Sequence, residues 1–135
     1  MISKAEGVSG DDRNHVILFL GATISDDDTA FSVGIDYEYR LNEFLGIGAL
    51  AEYTAADPDS WVLAGELFVH VTEGLGLIFA TGVELEDGDA EFLFRTGISY
   101  EFDLDDGWTI GPEVNVDFVD GDQDLVVGLS VGRTF

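Results

Sequence analysis

Seven clusters of turn-forming residues punctuate this chain at near-regular intervals, and their spacing constrains the fold more than any other feature. They are Ser25-Asp26-Asp27-Asp28, Leu41-Asn42-Glu43, Ala56-Asp57-Pro58-Asp59-Ser60, Thr72-Glu73-Gly74, Glu86-Asp87-Gly88-Asp89, Asp103-Leu104-Asp105-Asp106-Gly107 and Asp120-Gly121-Asp122-Gln123. Asp, Asn, Gly and Pro accept the dihedrals of tight turns. Between the clusters lie eight segments, at about 15–24, 29–40, 44–55, 61–71, 75–85, 90–102, 108–119 and 124–135. Each is rich in Val, Ile, Phe, Tyr and Leu, as strands are. The connections are too short for crossover helices, so successive strands are antiparallel neighbours. The spacing predicts an all-β, eight-stranded antiparallel up-and-down meander.

Composition excludes several alternatives. A length of 135 residues allows one domain. With 46% hydrophobic residues the chain is too apolar for an acidic disordered polymer. It carries 28 Asp and Glu against 5 Lys and Arg, a formal charge of −23. Nucleic acid is therefore not an expected partner, because phosphate binding needs clustered Lys and Arg. The chain has no Cys, so no disulfide framework or thiolate metal site is available. Met1-Ile2-Ser3-Lys4 begins weakly like an export signal, but Ala5 to Asn14 is polar, and no signal peptide is expected within this chain. Residues 1–14 read as a flexible lead-in and 15–135 as the folded unit. The longest apolar run, Val16 to Ala22, is far too short for a membrane helix. A closed β-barrel, however, crosses a membrane with shorter, alternating segments.

The segments do alternate. In the second, Phe31, Val33, Ile35, Tyr37 and Tyr39 share one face, and Ala30, Ser32, Gly34, Asp36, Glu38 and Arg40 share the other. The sixth sets Phe92, Phe94, Thr96, Ile98, Tyr100 and Phe102 against Glu91, Leu93, Arg95, Gly97, Ser99 and Glu101. The seventh sets Trp108, Ile110, Val114, Val116 and Phe118 against Glu113, Asn115 and Asp117. The third, fourth and fifth follow the same rule, whereas the first is apolar on both faces and leaves its orientation open. Two barrels fit such a pattern. A soluble calycin-like or lipocalin-like barrel turns the apolar face inward around an apolar ligand; a membrane barrel turns it toward lipid.

Two features favour the membrane barrel. The polar face is rich in glycine (Gly34, Gly46, Gly48, Gly82, Gly97, Gly111, Gly128 and Gly132 among others), which weakens a water-facing strand but leaves room inside a narrow barrel. The aromatic residues also collect at strand ends. With alternating strand directions Phe31, Tyr53, Trp61, Phe92 and Phe118 fall near one rim, and Tyr37, Tyr39, Tyr100, Phe102, Trp108 and Phe135 near the other. Two aromatic girdles around an aliphatic waist match two lipid–water interfaces. A tilted strand of about 11 residues rises about 28 Å, close to the apolar band of such barrels.

The carboxyl end carries a further signal. Phe135 is preceded by apolar residues at alternate positions, Val131, Leu129, Val127 and Leu125. In this the chain resembles the small eight-stranded bacterial outer-membrane barrels of the OmpA/OmpX type, over about residues 15–135. Arg133 departs from that family's pattern, either snorkelling to the interface or turning inward at a bulge. The resemblance implies a transmembrane β-barrel in the bacterial outer membrane, inserted by the barrel assembly machinery, with both termini on the periplasmic side. Outer-membrane lipid and lipopolysaccharide are then its surroundings. The family's adhesins carry long outer loops, and here the corresponding turns are short and acidic.

On this reading the lumen holds Asp36, Glu38, Glu52, Glu66, Glu84, Glu91, Glu101, Glu113 and Asp117, with Arg40, Arg95 and His70. Buried carboxylates need partners, water or cations, so a polar plug is expected in which Arg40 and Arg95 each bridge several carboxylates. A narrow acidic path favouring cations is the sharper alternative. Catalysis is not expected: no Ser sits two residues from His15 or His70, and no carboxylate pair is singled out. No cofactor is implied. Asp120, Asp122 and Asp124 alternate as calcium loops begin, yet the distal Glu and sixth-position Gly of an EF-hand are missing. The expected whole is a monomeric outer-membrane barrel with a structural or minor-pore role.

Overall fold

The computed structural model describes residues 13–26, 28–56 and 58–135. The chain runs through β1 (Asn14–Ser25), β2 (Asp28–Arg40), β3 (Leu45–Ala55), β4 (Ser60–His70), β5 (Leu75–Glu86), β6 (Asp89–Tyr100), β7 (Phe102–Asp103), β8 (Trp108–Val119) and β9 (Asp122–Thr134). A 3-10 turn at Asp105–Gly107 precedes β8. Each strand from β1 to β5 pairs antiparallel with the next, β8 pairs with β7 and β9, β1 pairs with β9, and β6 pairs with β8, so the sheet closes. The short β7 continues β6 in the same register along β8. The barrel thus has eight strands, the sixth being β6 and β7 together. It is interrupted at Glu101 because Tyr100 faces Pro112, which has no N–H to offer the ladder. Closure leaves no open sheet edge, which a lipid-exposed sheet could not tolerate.

The turns are those the chain's Asp and Gly residues favour. Asp87-Gly88 and Asp120-Gly121 are two-residue hairpin loops with positive φ at both positions (53° and 84°, 49° and 84°), the combination that matches strand twist. At the opposite end the Asn42 side-chain oxygen accepts the N–H groups of Phe44 and Leu45 at 2.7 and 3.0 Å. Asn14 and Phe135 exchange backbone hydrogen bonds of 3.0 and 2.8 Å, and the Arg13 carbonyl accepts from Arg40 N at 2.8 Å. Residues 13 and 14 therefore belong to the barrel wall, correcting the expected start at 15; the rest of the expected lead-in, 1–12, lies outside the described residues, as do Asp27 and Asp57 of the turn clusters.

Stepping across the sheet from Asn14 through Tyr39, Ile47, Leu67, Phe79, Thr96, Val116 and Leu125 returns to Ile24, ten residues further along β1. A stagger of ten over eight strands tilts them by about 40°. The tilt decides which inward side chains share a level.

The apolar face points outward. Ile35, Leu63 and Ile98 are exposed, with Val33 and Val116 half-exposed on the same surface. The soluble calycin-like alternative, which needs these residues around an inner cavity, is overturned. β1 resolves as well: Val16, Leu18 and Leu20 face out, while His15, Ile17 and Phe19 are buried inside. Arg133 makes no bulge. It keeps its pairing with Trp108, points outward at the rim, and stacks over the Trp108 ring at 5.5 Å.

Candidate functional site

The lumen is packed with side chains, and the register sorts them into levels. We call the end that carries Asn14 and Phe135 the terminus-side end. There, both described histidines converge on one carboxylate. His70 Nε2 lies 2.6 Å from Glu38 Oε2, and His15 Nδ1 lies 3.5 Å from Glu38 Oε1. Arg40 Nε donates to His70 at 3.0 Å and approaches Glu38 at 3.3 Å. Glu101 reaches His15 Nε2 at 3.6 Å. Gly46 makes room for this cluster, since a Cβ there would run into the Glu38 carboxylate. Arg40 therefore meets one carboxylate directly, not several as expected. His15 is the group sequence reasoning missed, because its strand is apolar on both faces.

Midway along the lumen lie Asp36, Glu66 and Glu113, from β2, β4 and β8. Asp36 and Glu66 are both buried, with their carboxyls close together. Glu113 is held by Asn115 Nδ2 at 2.7 Å and Ser130 Oγ at 2.6 Å. Gly97 lies beside Asn115, whose side-chain oxygen occupies the space a Cβ would need. Further on sits the tightest ionic contact. Arg95 binds Asp117 on the adjacent strand through Nε (2.5 Å) and Nη2 (2.8 Å). It also crosses the lumen to Glu52 on β3 at 3.0 and 3.2 Å. This doubly bidentate fork uses the planar geometry that only a guanidinium offers, and Arg95 is 98% buried. An apolar cluster of Leu50, Val62, Ala80, Leu93 and Val119 packs about this half of the lumen, and Ser32, Thr54 and Thr23 close a small hydroxyl network beside it.

Glu84 stands apart from these groups, half-buried near the far rim. Glu91, expected inside, is exposed at that rim, because β6 extends past the level where the lumen is filled. Asp120 and Asp122 are exposed, and Asp124 accepts from Ser25 Oγ at 2.7 Å. Among the described residues no group of three His, Asp or Glu side chains is placed to hold a metal ion. Thr109 Oγ1, His15 Nε2 (3.2 Å) and Glu38 follow the order of a nucleophilic triad. Yet Thr109 and His15 are buried, and neither lines the cavity at this end.

The outer surface carries the aromatic residues at two heights. Phe31, Trp61, Phe92 and Phe118 are exposed near the far rim, where Tyr53 stacks on Trp61 at 5.1 Å. Tyr37, Tyr39, Tyr100, Phe102, Trp108 and Phe135 are exposed near the terminus-side rim. Tyr37 also hydrogen-bonds Asn14. Leu18, Leu20, Ile35, Ile47, Leu63, Leu67, Ile98, Val114 and Leu129 fill the belt between, an apolar surface far beyond what a water-soluble monomer exposes.

No protein-family model matches the sequence, and no curated protein matches it. Solved structures do resemble the fold. The N-terminal β-barrel domain of Pseudomonas aeruginosa OprF superposes with a TM-score of 0.68 at 11% identity, over 92% of this chain and 98% of that one. Neisserial surface protein A gives 0.66 at 11% identity, over 90% and 96%. A structure from the de novo design of transmembrane β-barrels gives 0.66 at 13% identity, over 87% and 94%. With its apolar belt outside and its charges inside, the chain is a closed eight-stranded antiparallel β-barrel of the transmembrane kind.

Proposed function

We propose that this barrel resides in a bacterial outer membrane, with both termini on the periplasmic side, and serves as a structural element whose plugged lumen does not conduct. The observation that carries this reading is the pairing of a lipid-ready exterior with an interior crossed by Arg95. A guanidinium bound to β3 and β8 from β6 spans the lumen where a pore would have to run, and Leu93, Val62 and Val119 pack around it. Eight strands enclose a space just wide enough for side chains, and here side chains fill it. The likeness to OprF and Neisserial surface protein A supports the location through the fold. The short hairpins at Asp87-Gly88 and Asp120-Gly121 offer little surface for adhesion, and the buried Thr109–His15–Glu38 arrangement lacks a route for substrate.

The test has two parts. The purified chain in detergent should migrate differently on boiled and unboiled SDS gels, as a closed barrel does. Reconstituted in a planar bilayer, it should give no steady current in KCl. Solubility as a monomer in plain buffer would overturn the membrane reading, and a regular single-channel current would overturn the plug.

A further inference from the structure

Among the described strand residues, Arg133 is the only cation on the outward face of the wall; Arg40 and Arg95 are buried in the lumen. Its Nε donates to the Asp106 carbonyl at 3.3 Å, and its guanidinium lies over the Trp108 ring. Those are its protein contacts. Among the described residues neither its two Nη groups nor the Trp108 indole N–H has a protein partner. Strong N–H donors are thus left over at the girdle, the height at which lipid headgroups begin.

The wall below the pair is apolar. Trp108 and Arg133 face each other on β8 and β9, and the outward pairs Ile110–Val131 and Pro112–Leu129 follow toward the waist. In the first of these rows half-buried Ile110 and Val131 stand between exposed Phe102 on β7 and exposed Leu18 on β1. The short side chains in the middle leave a shallow apolar channel that runs down the wall from the guanidinium. Above it, in the turn before β8, Asp105 and Asp106 are exposed, and Arg133 is bonded to a backbone oxygen there and to neither carboxylate.

A planar guanidinium with free Nη groups matches the two oxygens of a phosphodiester, and the channel beneath it suits an acyl chain. A purely anionic headgroup would also meet the two carboxylates, which repel it; a headgroup carrying an ammonium next to its phosphate complements both signs. We propose that Arg133 and Trp108 hold the phosphate of one zwitterionic, amine-bearing phospholipid at the terminus-side rim, with its ammonium toward Asp105 and Asp106 and a chain along Ile110 and Val131. This rests on the membrane placement proposed above and not on the sealed lumen.

The test uses the full chain in dodecyl maltoside, a detergent without phosphate. Trp61→Phe removes the far-rim indole and leaves Trp108 as the sole tryptophan. Phosphatidylethanolamine with brominated chains should then quench Trp108 fluorescence saturably, at one lipid per barrel, and brominated phosphatidylglycerol at least fivefold more weakly. Arg133→Gln should weaken phosphatidylethanolamine binding at least tenfold, and Arg133→Lys should restore part of it. A double change, Asp105→Asn with Asp106→Asn, should abolish or reverse the preference between the two lipids. All of these side chains are exposed, so each variant should keep the heat-sensitive gel shift. Equal quenching with and without Arg133 would overturn the site while an intact gel shift left the barrel standing; loss of the shift in the parent would instead overturn the membrane placement. Equal or tighter binding of phosphatidylglycerol would overturn the headgroup assignment, and displacement of the lipid by millimolar inorganic phosphate would overturn the lipid as the source of the phosphate.

Discussion

The two halves of the lumen solve the same problem in different ways. Toward the far rim one arginine holds two carboxylates through four hydrogen bonds, and apolar side chains fill what remains. Toward the termini, the charges are more numerous and less evenly matched: Glu38 gathers two histidines and an arginine, while neither Asp36 nor Glu66 is bonded to a basic side chain. The first arrangement excludes water and behaves like a protein core turned inside a barrel. The second leaves carboxylates without a basic partner and a small cavity beside them. A narrow lumen can be sealed with a single well-placed guanidinium, provided the space around it is apolar; where carboxylates outnumber cations, the lumen stays partly open.

Replacing Arg95 breaks that contrast most severely. Arg95→Met strands Glu52 and Asp117 in an apolar setting, and removing one partner of a buried ionic network costs about 3–5 kcal/mol. Urea unfolding in lipid vesicles, followed by tryptophan fluorescence, should show the loss, and the same variant should raise the bilayer current. Leu93→Ala cuts the fully buried apolar filling on the same side. A large-to-small change in a packed core should cost about 3 kcal/mol by the same measurement, without the ionic penalty. Ile35→Arg tests the exterior: a charge on the lipid face deep in the belt should cost about 2 kcal/mol in vesicles, and much less in a soft detergent micelle. Glu38→Gln, in the buried terminus-side cluster, keeps the side chain's shape but turns one accepting oxygen into an N–H donor and removes the charge beside Arg40. It should cost about 1.5 kcal/mol. If Glu38→Gln proves as damaging as Arg95→Met, the two halves are equally dry and the contrast fails.

The asymmetry extends to the rims. Among the described cations Arg13, Arg40 and Arg133 lie at the terminus-side end and Arg95 inside, while the far rim carries Asp26, Asp28, Asp59, Asp87, Asp89, Asp120 and Asp122. Exposed like charges repel over about 10 Å at moderate salt.

Strand number, turn positions and the outward apolar face were legible from the chain alone, because alternation and turn chemistry are local. Ile35 and Asp36 must point to opposite sides whatever the rest of the barrel does. Even Arg133, the one break in the final alternation, kept the register that its neighbours set. What was not legible is which inward residues meet. Glu52 and Arg95 are 43 positions apart, and nothing near either residue names the other. Their meeting follows from the ten-residue stagger of the closed sheet, a property of all eight strands together. The same stagger sets Asp36 near Glu66, whereas His15 and Glu38 are direct partners in the β1–β2 hairpin; strand β1, apolar on both faces, acquired an inside only when it paired with β2 and β9. Side-chain direction is a consequence of backbone geometry one residue at a time; the company each side chain keeps in the lumen is a consequence of closure.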